Sequence, residues 1–182
     1  MTHYIAFLRA VNVGKRVVRM DALAKIFKSA DLHDVKTHIQ SGNVTFKART
    51  TNVEALRRKI EKQLYASLGY EVKVMLRSVE ELANVVKRNP FKQIDPDKNV
   101  MLFVSFLASE PTKRPRLPLR SESENLDVIA LRDKAAFTVS RRKKNGWFGF
   151  PNLFIEKQLG VNATTRNWTT VKRIVASTEQ KN

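Results

Sequence analysis

Along the first 77 residues the spacing of apolar side chains alternates between the period of a strand and that of a helix. The order of those changes constrains the fold more than any composition figure. Tyr4-Ile5-Ala6-Phe7-Leu8-Arg9 is apolar on both alternations down to Leu8, which predicts a strand covered on both faces. Asn12-Val13-Gly14-Lys15 breaks it. Met20, Leu23, Ala24 and Phe27 then fall on one helix face. Val35, Thr37 and Ile39 alternate with polar residues, Ser41-Gly42-Asn43 punctuates, and Val44 and Phe46 continue as the second arm of a hairpin. Val53, Leu56, Ile60, Leu64 and Leu68 space a longer helix that stops at Gly69, and Val72, Val74 and Leu76 form the next strand. The order β-α-β-β-α-β is that of the split βαβ, or ferredoxin-like, unit.

A similar order returns after residue 99. Ser78-Val79-Glu80-Glu81 has the spacing of a capping box and opens a helix that ends at Asn89-Pro90. Val100–Leu107 is the most apolar strand, which predicts an inner place in its sheet. Pro111, Pro115 and Pro118 favour an irregular connection. A hairpin over 126–131 and 135–140, a helix over 151–159 and a short strand over 161–166 follow, and Trp168, Val171 and Val175 space a last helix. The expected architecture is therefore α+β. It is a tandem duplication of two ferredoxin-like subdomains with a C-terminal helix, comprising residues 1–77, a connecting helix and linker over 78–98, and residues 99–182.

Charge bears on partners. The chain has 182 residues, with 34 Lys+Arg against 17 Asp+Glu, a formal charge of +17. Residues 1–90 hold 17 basic and 8 acidic side chains and residues 91–182 hold 17 and 9, so the halves carry +9 and +8. Such a surface attracts polyanions by counterion release, unless the excess is merely compositional. Cys is absent, which excludes thiol catalysis and Cys-ligated zinc and fits the cytoplasm. No apolar run has the roughly 18–20 residues of a membrane-spanning helix, and no signal peptide is apparent, so no membrane association is expected. P-loop, dinucleotide-binding and zinc-protease motifs are absent. His3, His33 and His38 lack metal-ligand spacing, and the capping box accounts for Glu80-Glu81, so neither a catalytic residue nor a cofactor or metal is assigned.

Three segments carry candidate chemistry. In the turn after the first strand, Arg9, Asn12, Gly14 and Lys15, with Arg16 and Arg19 beyond, could offer backbone N–H groups and charge to an anion. A plain strand–helix loop is the alternative. In Ser140-Arg141-Arg142-Lys143-Lys144-Asn145-Gly146-Trp147-Phe148-Gly149-Phe150, four cations meet three aromatics, the combination that holds single-stranded nucleic acid. The alternative is a solvated loop whose aromatics pack under the next helix. In Thr164-Thr165-Arg166-Asn167-Trp168, Arg166 can project a fork of donors or, with Asn167 and Trp168, anchor and cap the last helix.

Leu8-Arg9-Ala10-Val11-Asn12-Val13-Gly14, Ile39-Gln40-Ser41-Gly42-Asn43-Val44-Thr45-Phe46 and Thr164-Thr165-Arg166-Asn167-Trp168-Thr169-Thr170-Val171 together resemble the motifs of the bacterial domain of unknown function 1697 family. Ala10 and Lys15 stand where that family has glycine, and His38 where a tyrosine is common. The resemblance implies an α+β protein of two related subdomains and no particular activity. It points to Asn12, Gly14, Ser41, Gly42, Asn43, Arg166 and Asn167 as matched polar positions. With Arg9 and Lys15, all of these but Gly42 form a candidate anion site. Arg141, Arg142, Lys143, Lys144, Trp147 and Phe148 form a candidate nucleic-acid site. The expected function is binding of a phosphate-bearing ligand, nucleic acid first and a small molecule second. An enzyme acting on a small anionic substrate and a protein–protein interaction module are the rivals.

Overall fold

In the computed structural model, residues 1–12, 14, 16–38, 42–95 and 97–179 are described. They form two antiparallel sheets and five helices, an α+β chain divided into two compact units, Met1–Leu82 and Ala83–Asn182.

The first unit runs β1 (Thr2–Leu8), α1 (Met20–Ser29), β2 (His33–His38), β3 (Asn43–Ala48), α2 (Val53–Leu68) and β4 (Val74–Ser78), and ends within α3 (Val79–Arg88). Its sheet has the order β2-β3-β1-β4. Tyr4, Ala6 and Leu8 of β1 and Val44, Phe46 and Ala48 of β3 share a core with Leu23 and Phe27 of α1 and Leu56, Ile60 and Leu64 of α2. The Phe46 ring sits 5.5 Å from Phe27 and 5.9 Å from Tyr4. Ile5, Phe7, Asn43, Thr45 and Met75, on the opposite face, are also buried, which is why β1 lacks a polar alternation. Asn52 caps α2 by accepting from Ala55 N–H at 3.0 Å. The capping box forms as its spacing requires: Ser78 N–H donates to Glu81 Oε2 (2.7 Å) and Glu81 N–H to Ser78 Oγ (3.0 Å).

The second unit holds β5 (Val100–Leu107), β6 (Leu119–Ser121), β7 (Leu126–Arg132), β8 (Ala135–Arg141), α4 (Asn152–Leu159), β9 (Ala163–Asn167) and α5 (Trp168–Glu179). The sheet order is β6-β7-β8-β5-β9, with the apolar β5 inside. Leu107, Val128, Ala136 and Ala163 pack against Ile155 and Leu159 of α4. Phe91 makes edge contacts with Phe137 (5.9 Å) and Trp168 (5.4 Å), which fixes the start of α5. The proline-rich connection 108–118 is irregular, as its prolines predict, and holds no counterpart of α1 between β5 and β6. It leads instead into β6, a three-residue strand too short to leave a period in the sequence. A bulge between Val128 and Ala130 shifts the β7–β8 register.

Candidate nucleic-acid interface

The turn after β1 and the β2–β3 hairpin, two of the sequence motifs, meet in the first unit. Leu8 N–H donates to Gly42 O at 2.8 Å. Gly42 has φ +70°, and a Cβ there would lie 2.6 Å from Val11 Cγ1 and 3.0 Å from Leu8 Cβ. Only glycine fits this contact, for both conformational and steric reasons. The two asparagines close backbone. Asn12 Oδ1 accepts from Val18 N–H at 2.6 Å and Asn12 Nδ2 reaches Val18 O at 3.4 Å. Asn43 is buried and donates from Nδ2 to His38 O at 3.1 Å. Arg9 is half-buried and its N–H donates to Lys73 O. Arg16 lies 4.2 Å above the Tyr70 ring, whose hydroxyl donates to Val11 O at 3.1 Å. Gly14 is exposed at φ +68°. Lys15 and Ser41 lie outside the described residues.

In the second unit Arg166 is 8% exposed. Its Nη1 donates to Thr164 Oγ1 and Thr165 O, both at 2.8 Å, and burial pulls its guanidinium down to about 10. Asn167 Oδ1 accepts from Thr169 N–H at 2.9 Å and caps α5. Of the anion candidates, Asn12 and Asn43 therefore serve turns, Asn167 a helix end, and Arg166 its own strand.

The loop between β8 and α4 differs. Gly146 N–H donates to Lys143 O and Lys143 N–H to Trp147 O, which makes a tight turn, while Arg142 and Phe148 pair as a bridge. The Arg142 guanidinium lies 4.8 Å above the Phe148 ring and donates to Lys98 O, Gly146 O and Asn99 Oδ1. Lys143 Nζ pairs with Glu124 Oε2 at 3.0 Å, and Arg141 with Asp127. Lys144 is exposed and has no ion pair among the described residues. Phe148 is half-buried beneath Arg142, and Phe150 meets Phe103 edge-on at 5.7 Å while remaining exposed. Trp147, at the tip, is 75% exposed. The expected run of four phosphate-facing cations thus resolves into three cations with local partners, one without, and an uncovered indole.

Sequence reasoning missed the acidic partners Glu124 and Asp127 and the polar brace Asn125, whose Nδ2 donates to Arg141 O and Arg142 O at 3.2 Å. Asp127 interrupts an otherwise apolar strand, a signal visible in Leu126–Leu131, but its partners emerge only with the strand register.

Among the described residues no His, Asp or Glu cluster could hold a metal, and no helix is long and apolar enough to cross a membrane. No curated protein matches the chain. A solved structure, the conserved bacterial protein SP0830 from Streptococcus pneumoniae, is similar over 97% of this chain and 98% of its own, with a TM-score of 0.68 at 19% identity, a likeness of fold. A family model described as "Protein of unknown function (DUF1697)" matches residues 1–137, three-quarters of the sequence, so the chain belongs to that family.

Proposed function

We propose that the protein binds single-stranded nucleic acid through the Lys143–Phe150 tip of the β8–α4 loop. The observation that carries this reading is the Trp147 indole, exposed and flanked by Lys144 and by the Arg142–Phe148 stack. Leaving a large aromatic in water forgoes burial that would stabilise the fold by about 2 kcal/mol, so its exposure needs another use. A base stacked on it contributes about 1–3 kcal/mol, while Lys144 meets a phosphate. The +17 charge supplies the non-specific attraction, and a cytoplasmic setting suits the target. Trp147→Ala should weaken binding of a short single strand about 5- to 100-fold, measured by fluorescence anisotropy. Lys144→Ser should reduce the salt slope by about 0.7. No oligonucleotide binding by the native protein at low salt would remove the proposal. Exposed Phe150 and Leu153, close to Trp147 in sequence, favour a protein-interaction module as the second reading, with affinity indifferent to salt.

The finer description of the fold is also a proposal. β7-β8-β5-β9 repeats the order β2-β3-β1-β4, and α4 takes the chain position of α2. Two ferredoxin-like units, the second with β6 at its edge and an irregular link in place of the first helix, account for that correspondence. Superposition of an experimental structure of each unit on the other tests it.

A further inference from the structure

Arg120 on β6, Asp127 on β7 and Arg141 on β8 come together on one face of the second sheet. Arg120 is the register partner of Asp127, and Asp127 that of Val139, two residues before Arg141. Arg120 Nε donates to Asp127 Oδ1 at 2.8 Å and Arg141 Nη1 to Asp127 Oδ2 at 2.5 Å. The carboxylate is buried, with 7% of its side chain exposed, whereas the arginine side chains are 67% and 48% exposed. All three line a cleft of about 470 Å³.

Such an arrangement exceeds what a structural ion pair requires. A buried carboxylate needs enough donors to offset its desolvation, and one well-placed arginine would serve. Here each oxygen holds a different guanidinium at a single nitrogen. The Nη1/Nη2 edge of Arg120 and the Nε/Nη2 edge of Arg141 make no other hydrogen bond among the described residues. Each such edge matches two oxygens of a phosphate. Burial raises the Asp127 carboxyl, but the hydrogen bonds and charges of both arginines outweigh it and hold the group below its usual range, so it stays ionised and keeps both forks oriented at neutral pH. Ser140 and Arg141, as strand neighbours, project to opposite faces. Ser140 Oγ donates to Gly149 O, so the cleft lies across the sheet from the root of the aromatic loop.

We propose that Arg120 and Arg141, held by Asp127, form a clamp for the doubly charged phosphate of a monoester. The cleft falls within the roughly 300–1,000 Å³ of small-molecule sites, so it has room for the esterified group as well as the phosphate. Glu122, exposed on the same cleft, opposes the anion from the rim. The phosphate can belong to a free small monoester or to the end of a nucleic-acid strand.

The test is calorimetry at low salt with glycerol 2-phosphate, and with two oligonucleotides identical but for a 5′-phosphate. The native protein should bind glycerol 2-phosphate. Arg120→Ala, at an exposed position, should weaken that binding about tenfold or more, as loss of a charge-assisted pair of bonds requires. Arg120→Lys should recover only part of it, because the charge returns without the fork. Glu122→Gln should tighten it. A 5′-phosphate that strengthens oligonucleotide binding by the factor Arg120→Ala removes identifies the strand end as the source. Equal affinity of the two oligonucleotides identifies the small monoester. Absence of native binding to glycerol 2-phosphate, or unchanged affinity in Arg120→Ala, overturns the clamp, and neither result bears on base stacking at Trp147.

Discussion

Residues 9–18 in the first unit and 141–150 in the second are both basic loops anchored by an arginine over an aromatic ring, yet they do opposite things with their side chains. In the first, the ring under Arg16 is Tyr70, which comes from beyond α2 and is itself tied to Val11 O. Asn12 closes the backbone to Val18, and Gly42 seats the hairpin against Val11. Its described residues are tied to their own unit. In the second, the ring under Arg142 is Phe148, from the same loop. One aromatic covered from within leaves the neighbouring Trp147 outside. Positive charge is common to both, so charge alone does not distinguish a loop with an uncovered aromatic from one tied down to its unit. The origin of the covering ring does.

The sharpest way to break this contrast is to dislodge the open loop from its base. A Cβ on Gly149 would lie 2.0 Å from Glu124 O and 2.8 Å from its carbonyl carbon, a backbone that cannot rotate away. Gly149→Ala should cost about 3 kcal/mol, the upper range for overpacking. It should also shift Phe148 and Trp147 and abolish oligonucleotide binding. Urea denaturation with an unchanged midpoint would show that the loop is not seated as described.

A crossed pair of variants comes next. Asn12→Ala leaves Val18 N–H without its 2.6 Å acceptor and should cost about 1–2 kcal/mol, while oligonucleotide binding stays at the native level. Trp147→Ala should change stability by less than about 0.5 kcal/mol, since the side chain is exposed, and lose binding instead. If Asn12→Ala loses binding without losing stability, the first loop is the ligand site and the contrast reverses.

How much of this the residues disclose on their own follows from what is local. Helix faces such as Leu23/Phe27 and Leu56/Ile60/Leu64, and caps such as Ser78/Glu81, depend on neighbours within a few positions, so period and spacing suffice. The convergence of Gly42 with Leu8 and Val11 was visible only as two motifs without a stated distance. Asp127 between Arg120 and Arg141 was not visible, because it needs the register of three strands and a three-residue β6 that carries no period. The same limit applies to the cationic run: Lys143 reads as free until Glu124, nineteen positions away, is placed beside it.

The smallest effect separates the two units by acid. All three histidines, His3, His33 and His38, fall in the first unit and none in the second. His38 Nε2 lies 2.8 Å from Thr45 Oγ1, and burial first, then the charges of Lys36 and His3, lower its pKa from 6.5. His3 is lowered in the same sense by burial, Lys47 and Lys36, with Asp34 opposing. A histidine whose folded pKa is depressed binds its proton more readily in the unfolded chain. Its contribution is therefore fully present above about pH 6.5 and declines as pH falls below that value, through the folded pKa. Amide hydrogen exchange at pH 7 and pH 5.5, corrected for the intrinsic rate, should show added opening in β1–β3 and none in β7–β8. His38→Gln, which keeps a polar partner for Thr45 but cannot titrate, should remove part of the difference, leaving the share that belongs to His3. Equal acid sensitivity in both sheets between these two pH values would show that the histidines are not its source. Asp127's folded pKa is also depressed, but its window lies lower, where the unfolded carboxyl begins to protonate near pH 4.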